Sequence, residues 1–533
     1  MRLLYAPSAR RMIPYPPVGV ALLAGEIRES CQRTATVVDL EMSVWNEHRA
    51  RSGVLLYEKG LDSSRVLTGD LDAEVQAYQK LLVEHSGIVP GEDVGISVMG
   101  FEQLASALLL CKAALERGAR VIMGGQFWSE RSARQVLSTF ADERLTITVG
   151  DGWIAIRNWL LHPEGIPTNS WVWREGTLQS GPVNKGAATP PVPSYDSVDW
   201  ELYRRYCSAI LDDGRQIRRA HLYVWDKLCP FKCNFCRVSS GSKAKLNPPE
   251  TLVTSLRDLL GQHVQQFNFM TNELNPSLRY MRDVVGELRP LLSSNPDVGW
   301  FTYLRPDSME RDDLRSLREI GCRMVRYGVE TGSQTLSDRM QKDYTIPTVA
   351  KVLRLAAEAD ILNHVNFLVG YPGETDDDLQ KSIDFVVDNH AAIHSVRINP
   401  FYLPPGTRLA NEPQMFGIRL TEFRRGYWDF EMIDGSRPMA DTIKARIEKL
   451  SDTIMRYGIG FAGVLPFETL NTLTQYPSRD EGIAELRRQR PYLWENASPD
   501  WLKSKLGGYT MHSDWSETIL KRGRNYNMEI CND

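Results

Sequence analysis

The chain has 533 residues, of which 42% are hydrophobic and 24% charged, with a net charge of −4. That length exceeds one ordinary core, so two or three globular domains are expected. The charge balance argues against nucleic acid as the main partner, and no apolar run is long enough to span a bilayer, so no membrane role is expected.

The first residues, Met1 to Pro7, are apolar but soon meet Arg10 and Arg11, an order that does not suit a signal peptide. A buried strand over Arg2–Ala6 is expected instead. A helix over Val18–Arg28 and a strand over Thr36–Leu40 follow. Residues 41–90 read as a polar helical or loop insertion. Val94–Met99 is a third strand and Glu102–Arg117 a helix, with further strands over Arg120–Met123 and Leu145–Val149. This alternation predicts an α/β fold whose first domain, residues 1–160, is a Rossmann-like parallel sheet. Ser97 to Gly100, Gly124-Gly125 and Gly150 to Gly152 each follow a strand's carboxyl end, the edge where open parallel sheets bind ligands. Each alone reads as an ordinary turn; three together favour a ligand edge.

Residues 161–215 read as a connector, because Pro182, Pro190, Pro191 and Pro193 forbid a helix or central strand there. From 216 to 408 alternation resumes. Strands are expected over Arg219–Trp225, Gln266–Thr271, Gly299–Tyr303, Met324–Val329, Val365–Val369 and Val396–Phe401, separated by helices. That is a partial (β/α)6 barrel of the TIM type. Residues 409–533 read as mainly helical, with helices near Asp441–Met455 and Gly482–Arg490. Their aromatic residues, Trp428, Phe430, Tyr457 and Trp494 among them, are expected chiefly to pack helices. Tyr303, Asn399 and Tyr402 on the barrel are better placed to meet a substrate.

Five of the eight cysteines are scattered, which suits a reducing, cytoplasmic compartment and not a disulfide frame. The other three form Cys229-Pro230-Phe231-Lys232-Cys233-Asn234-Phe235-Cys236. Three thiolates in one short loop can hold three corners of a cubane iron–sulfur cluster and leave one iron open. Zinc is the competing reading, but a structural zinc site wants four ligands, and His221 and Cys322 are the wrong candidates for a fourth.

The C-x-x-x-C-x-x-C spacing after the first barrel strand, with Phe235 before the third cysteine, resembles the radical S-adenosylmethionine (SAM) superfamily. Tyr327-Gly328-Val329-Glu330-Thr331-Gly332-Ser333 and Phe367-Leu368-Val369-Gly370-Tyr371-Pro372-Gly373-Glu374-Thr375 look like its SAM-contacting segments. With Tyr15-Pro16-Pro17-Val18-Gly19, they resemble the branch that carries an N-terminal cobalamin domain. The resemblance covers about residues 1–408.

It implies a [4Fe–4S] cluster on Cys229, Cys233 and Cys236, with SAM chelating the open iron, and Phe235, Glu330, Ser333 and Gly370 as SAM-side contacts. SAM carries a sulfonium, an ammonium and a carboxylate, and buried charges need compensation. Glu330 and Glu273 can meet its cations and Arg305 its carboxylate. The family's glycine-rich segment after the second strand is replaced here by Met270-Thr271-Asn272-Glu273-Leu274-Asn275. Glu273 therefore has two readings: it holds the SAM ammonium, or it ligates the iron and suppresses radical cleavage. Glu273, Tyr303 and Arg305 are the catalytic candidates.

The resemblance also implies cobalamin on the first domain, with Ser97, Gly100, Gly124, Gly125, Gln126, Gly150 and Gly152 as contacts. No Asp-x-His-x-x-Gly signature supplies a lower cobalt ligand. The implied reaction is methyl transfer from SAM, through methylcobalamin, to a carbon or phosphorus centre of an amino acid, peptide or natural-product precursor. Tryptophan is one instance that nothing in the sequence selects. The alternative is oxidative rearrangement, ring contraction or cyclisation with the same cofactors. The implied partners are a small-molecule or peptide substrate and an electron donor such as flavodoxin or ferredoxin.

Overall fold

The structure of the chain is a computed structural model that describes residues 1–7, 15–44, 61, 63–184, 189–204, 217–224, 229–239, 246–424, 427–435, 440–457, 459–461, 481 and 484. The chain folds as two compact units. The first takes Met1–His221 with Asp258–His263, and the second takes Leu222–Arg257 and the chain from Val264 onward.

The first unit is built on strands β1 (Arg2–Tyr5), β2 (Thr36–Asp39), β3 (Val94–Ser97), β4 (Val121–Gly124), β5 (Leu145–Thr148), β6 (Ser170–Arg174) and β7 (Thr177–Ser180). Their order is β2-β1-β3-β4-β5-β6-β7. Pairing is parallel from β2 to β5 and antiparallel from β5 to β7. Neighbouring residues on one strand enter different cores, as a sheet with helices on both faces requires. Leu3 and Ile122 pack with Val20, Ile27, Ile156 and Trp159 on one face. Leu4 and Met123 pack with Ile96, Leu108, Leu137 and Ile147 on the other.

Between β2 and β3 lie helices Ser63–Thr68 and Ala73–Ser86, the latter capped by Asp72, which accepts from the Val75 N–H at 2.9 Å. Strands β6 and β7 lie where the sequence reading has only a connector. They turn through Glu175 and Gly176, with φ of 50° and 72°, as a two-residue hairpin of the primed type demands. The proline-rich stretch begins only after this hairpin.

The second sheet is built on β8 (Arg218–Tyr223), whose residues up to His221 are counted with the first unit, and on β9 (Val264–Met270), β10 (Gly299–Leu304), β11 (Cys322–Glu330), β12 (Leu362–Val369) and β13 (Ser395–Pro400). They lie side by side in chain order, and β9 to β13 pair in parallel. This is the six-stranded array expected for a partial barrel. One face of the array carries a row of polar side chains. Tyr303 pairs in register with Arg326, and Arg326 with His364. The Arg326 guanidinium lies 4.5 Å from the Phe301 ring and 5.6 Å from that of Tyr303.

Beyond residue 408 the sequence reading expects mainly helix. Helix Ala440–Arg456 is present, but it is preceded by an antiparallel hairpin, β14 (Ile418–Arg424) and β15 (Tyr427–Met432). Trp428 and Phe430 pack from this hairpin against the buried cluster of Tyr371, Phe401 and Leu403. A short strand β16 (Gly460–Phe461) joins β13. The expected helix over 482–490 lies outside the described residues. Among the described residues, no helix is long and apolar enough to cross a membrane.

Gly125 gives a test of how tightly the first sheet is built. Its φ is +116°, and a Cβ there would stand 2.2 Å from the Val98 carbonyl oxygen. Gly118, with φ +77° and no atom within 4 Å of a Cβ, isolates backbone strain alone. Chemical denaturation should therefore cost Gly125→Ala about 3 kcal/mol or more and Gly118→Ala about 1 kcal/mol.

Candidate active site

The cysteine loop follows β8 and folds back on itself. The Cys229 N–H donates to the Val238 carbonyl at 2.8 Å, and the Cys236 N–H to the Cys233 carbonyl at 3.2 Å. Asn234, fully buried between the second and third cysteines, fastens the loop from all sides. Its backbone N–H donates to the Met340 carbonyl at 3.2 Å and its side-chain amide to the Arg339 carbonyl at 2.8 Å. Its side-chain oxygen accepts from the Tyr371 hydroxyl at 2.9 Å, and its carbonyl from the Leu409 N–H at 2.9 Å. Tyr371 belongs to the Gly-Tyr-Pro-Gly segment, so two motifs distant in sequence are joined at one buried amide.

The three cysteines are unbridged. Cys229 and Cys233 are buried and Cys236 is half-buried. All three line one cavity of about 340 Å³, whose walls come from the carboxyl ends of β9, β10 and β11 and from Asn366 within β12. Among the described residues, no three His, Cys, Asp or Glu side chains are drawn together to hold a single metal ion. A cubane asks for something different, since each thiolate binds its own iron and the three must surround a volume. The donor set and the cavity fit such a cluster.

Glu273, Tyr303, Arg305, Phe235 and Glu330, all expected in the site, line this cavity. Glu273 is 5% exposed, and the Cys229 thiol donates to its two oxygens at 3.2 and 3.4 Å. Burial pushes the Glu273 carboxyl up to about 7, while the contact with Cys229 and the charges of Arg305 and Lys342 pull the other way. Burial likewise pushes the Cys229 thiol up, and the Glu273 charge adds to that.

Arg305 is already engaged. Its guanidinium donates to Asp307 at 3.1 Å and to the Lys342 carbonyl at 2.6 Å, and it stacks 3.6 Å above the Phe231 ring. Ser333 and Gly370 do not line the cavity. Ser333 caps helix Gln334–Arg339 and donates to Asp378 at 2.5 Å. The Gly370 N–H donates to Glu374 at 2.6 Å, and a Cβ on Gly370 would stand 2.8 Å from Ile443. Both support the site's frame.

The sequence reading missed Asn234, Asp307, Lys342 and Tyr344. Lys342 and Tyr344 follow the Glu-Thr-Gly-Ser segment by about one helix and reach back to it. The Tyr344 hydroxyl lies 3.1 and 2.8 Å from the carbonyls of Gly328 and Val329. A lysine two residues from a tyrosine carries no signal of that return.

In the first unit, Ser97, Gly124, Gly125, Gly150 and Gly152 all stand at or just beyond carboxyl ends of parallel strands. A Cβ on Gly124 would meet nothing nearer than 3.9 Å, and one on Gly150 nothing nearer than 3.7 Å, so the edge there is open. Gly125 differs: it is needed by the close passage of Val98. Gly100 precedes a short 3-10 turn, and Gln126 is exposed beside the open edge.

Residues 227–386 match the model of the radical SAM superfamily. This stretch is a radical SAM domain. Among curated proteins, the chain is 26% identical over 213 residues to the anaerobic magnesium-protoporphyrin IX monomethyl ester cyclase of Cereibacter sphaeroides, covering 38% of this chain and 34% of that protein. It is 22% identical to an uncharacterized methyltransferase of Pyrococcus horikoshii, covering 41% of this chain and 45% of that protein. It thus spans less than half the length of these curated relatives.

Solved structures match over more of their length. The radical SAM methyltransferase TsrM from Kitasatospora setae, with tryptophan and a SAM analogue bound, superposes with a TM-score of 0.58 at 15% identity, over 85% of this chain and 89% of that one. The cobalamin-dependent radical SAM enzyme OxsB, with aqua-cobalamin and SAM bound, gives 0.60 at 14% identity, over 98% of this chain and 74% of that one. The radical SAM domain and its N-terminal partner therefore share the fold of cobalamin-dependent radical SAM enzymes.

Glu273 makes the cluster-free radical SAM domain pH-sensitive. Its carboxyl binds a proton more tightly folded than unfolded, so stability is fullest below about 4.5 and is lost as pH rises through about 7. Between about pH 5 and about pH 8, Glu273→Gln should gain about 2–3 kcal/mol on the parent in denaturant unfolding.

Proposed function

We propose that this chain is a cobalamin-dependent radical SAM methyltransferase. It holds a [4Fe–4S] cluster on Cys229, Cys233 and Cys236, binds SAM beside it, and binds cobalamin at the open edge of the first sheet. The methyl acceptor is a carbon or phosphorus centre of a small molecule or peptide. The observation that carries the reading is the single cavity in which three unbridged thiols meet Glu273, Glu330, Arg305 and Lys342 at the strand ends.

When bound, the cluster supplies the electron that cleaves SAM, and methylcobalamin supplies the methyl group. The protein's own residues bind and orient. Asn234 keeps the loop from opening. Glu273 and Glu330 offer carboxylates to the ammonium and sulfonium of SAM, and burial strengthens those contacts. Lys342 and the cavity face of Arg305 oppose its carboxylate. Cavity walls that bury Cys229 and Cys233 limit water at the reacting atoms. Tyr303 lines the same cavity and is the substrate-side candidate. The first sheet's β2-β1-β3-β4-β5 order supports a cofactor site, since open sheets of that order bind ligands near the reversal at β1 and β3. A one-electron donor such as flavodoxin or ferredoxin is required.

A second reading, oxidative cyclisation or rearrangement with the same cofactors, draws on the cyclase among the curated relatives. One experiment separates the two. Anaerobically prepared protein is assayed for iron, sulfide and corrinoid, then incubated with methyl-labelled SAM and candidate acceptors. Near-stoichiometric cofactors and label in the product are expected. Deoxyadenosine without label in the product supports the second reading, and abundant deoxyadenosine in either case rules out Glu273 as a permanent iron ligand. Protein that holds neither iron nor sulfide overturns both. Cys229→Ser, Cys233→Ser and Cys236→Ser should each abolish turnover and strip most of the iron.

A further inference from the structure

Lys342 is 7% exposed, yet it stands in the wall of the cavity. Gln341 and Asp343 on either side have φ of 59° and 60°, so the chain turns sharply to present it. Two such positions around one residue are the kind of strain that collects at functional sites.

The ammonium has three N–H groups. One donates to the Gly328 carbonyl at 2.8 Å. The nearest carboxylate oxygen, on Glu330, is 3.8 Å away, beyond hydrogen-bond reach. The rings of Phe235 and Tyr344 lie 5.8 and 5.4 Å from the nitrogen, within cation–π range. A buried charge held this loosely keeps much of its field for the rest of the cavity.

Three local features bring Glu330 to it. The β11–β12 register slips between Gly328 and Glu330. Glu330 takes a φ of +68°. Position 328 is glycine, where a Cβ would stand 2.5 Å from the Glu330 carboxylate and 3.5 Å from the Lys342 nitrogen. The arrangement sets one cation and one anion beside Phe235, between the second and third cysteines.

We propose that Lys342 is a positioning cation for the electron: its buried charge raises the reduction potential of the cluster held by Cys229, Cys233 and Cys236, and Glu330 moderates that effect. The inference rests on the cluster assignment made under the proposed function. The step is the transfer of one electron from an external one-electron donor to the cluster, with the donor oxidised and the cluster reduced. Three thiolates and Glu273 oppose added negative charge at the cluster, and a nearby cation offsets them.

The test uses the full chain, reconstituted anaerobically with iron and sulfide. The midpoint potential is read by titration with dithionite, followed by electron paramagnetic resonance of the reduced cluster. Lys342→Met should lower the ratio of reduced to oxidised cluster at a fixed applied potential on the order of tenfold, which for one electron is about 59 mV. Lys342→Arg should restore it. A parent protein that assembles no cluster defeats the cluster assignment itself. A parent and a Lys342→Met variant with equal iron and equal midpoints overturn the role of Lys342 and leave the cluster standing. If Lys342→Met assembles no cluster, Glu330→Gln decides: a raised midpoint supports the proposal, and an unchanged or lowered one overturns it.

Discussion

Parallel pairing between β11 and β12 slips once, and the charge layout of the cavity depends on that slip. Without it, the residues after Gly328 would continue to alternate, and Glu330 would follow the ordinary pleat. The slip frees the carbonyls of Gly328 and Val329, which need partners when buried. Lys342 and Tyr344 supply them. One irregularity in a strand therefore recruits a distant loop, and that loop delivers a cation to the thiols.

The cysteine loop is held in a related way. A loop that must surround a volume cannot pack against its own core, so its order comes from outside contacts. Asn234 concentrates four of these in one residue, joining the loop to residues 339–340, to Tyr371 and to Leu409. Losing any one leaves a buried polar group unpaired, a cost of about 1–3 kcal/mol. These contacts hold the loop whose three cysteines line the cavity.

Much of this was legible in the sequence because it rests on local rules. The apolar strands of both units and the glycines at their ends carry the periodicity and turn chemistry that parallel sheets require. The cysteine spacing is a strong signal by itself, and Glu273, Arg305 and Glu330, which line the cavity, are legible as charges at strand ends, Glu330 also through its motif. What was missed depends on tertiary contact. Lys342 and Asn234 look like ordinary polar loop residues until the chain brings them back. The β6–β7 hairpin was hidden because Glu175-Gly176 is a weaker turn signal than Asn-Gly. The β14–β15 hairpin could have been read: Tyr427 to Met432 alternates Trp428, Phe430 and Met432 with Asp429 and Glu431. Ser333 and Gly370 are legible only through their motifs, and the hydrogen bonds they make here run to Asp378 and Glu374.

The hairpin that closes the first sheet has one more consequence. An exposed parallel edge strand is a template on which a stray chain can add itself. Here the sheet turns antiparallel and ends in four residues, Thr177 to Ser180, with Thr177 and Ser180 exposed. So short and polar a last strand offers little to a neighbouring molecule, and this edge of the sheet is a poor template for edge-to-edge pairing.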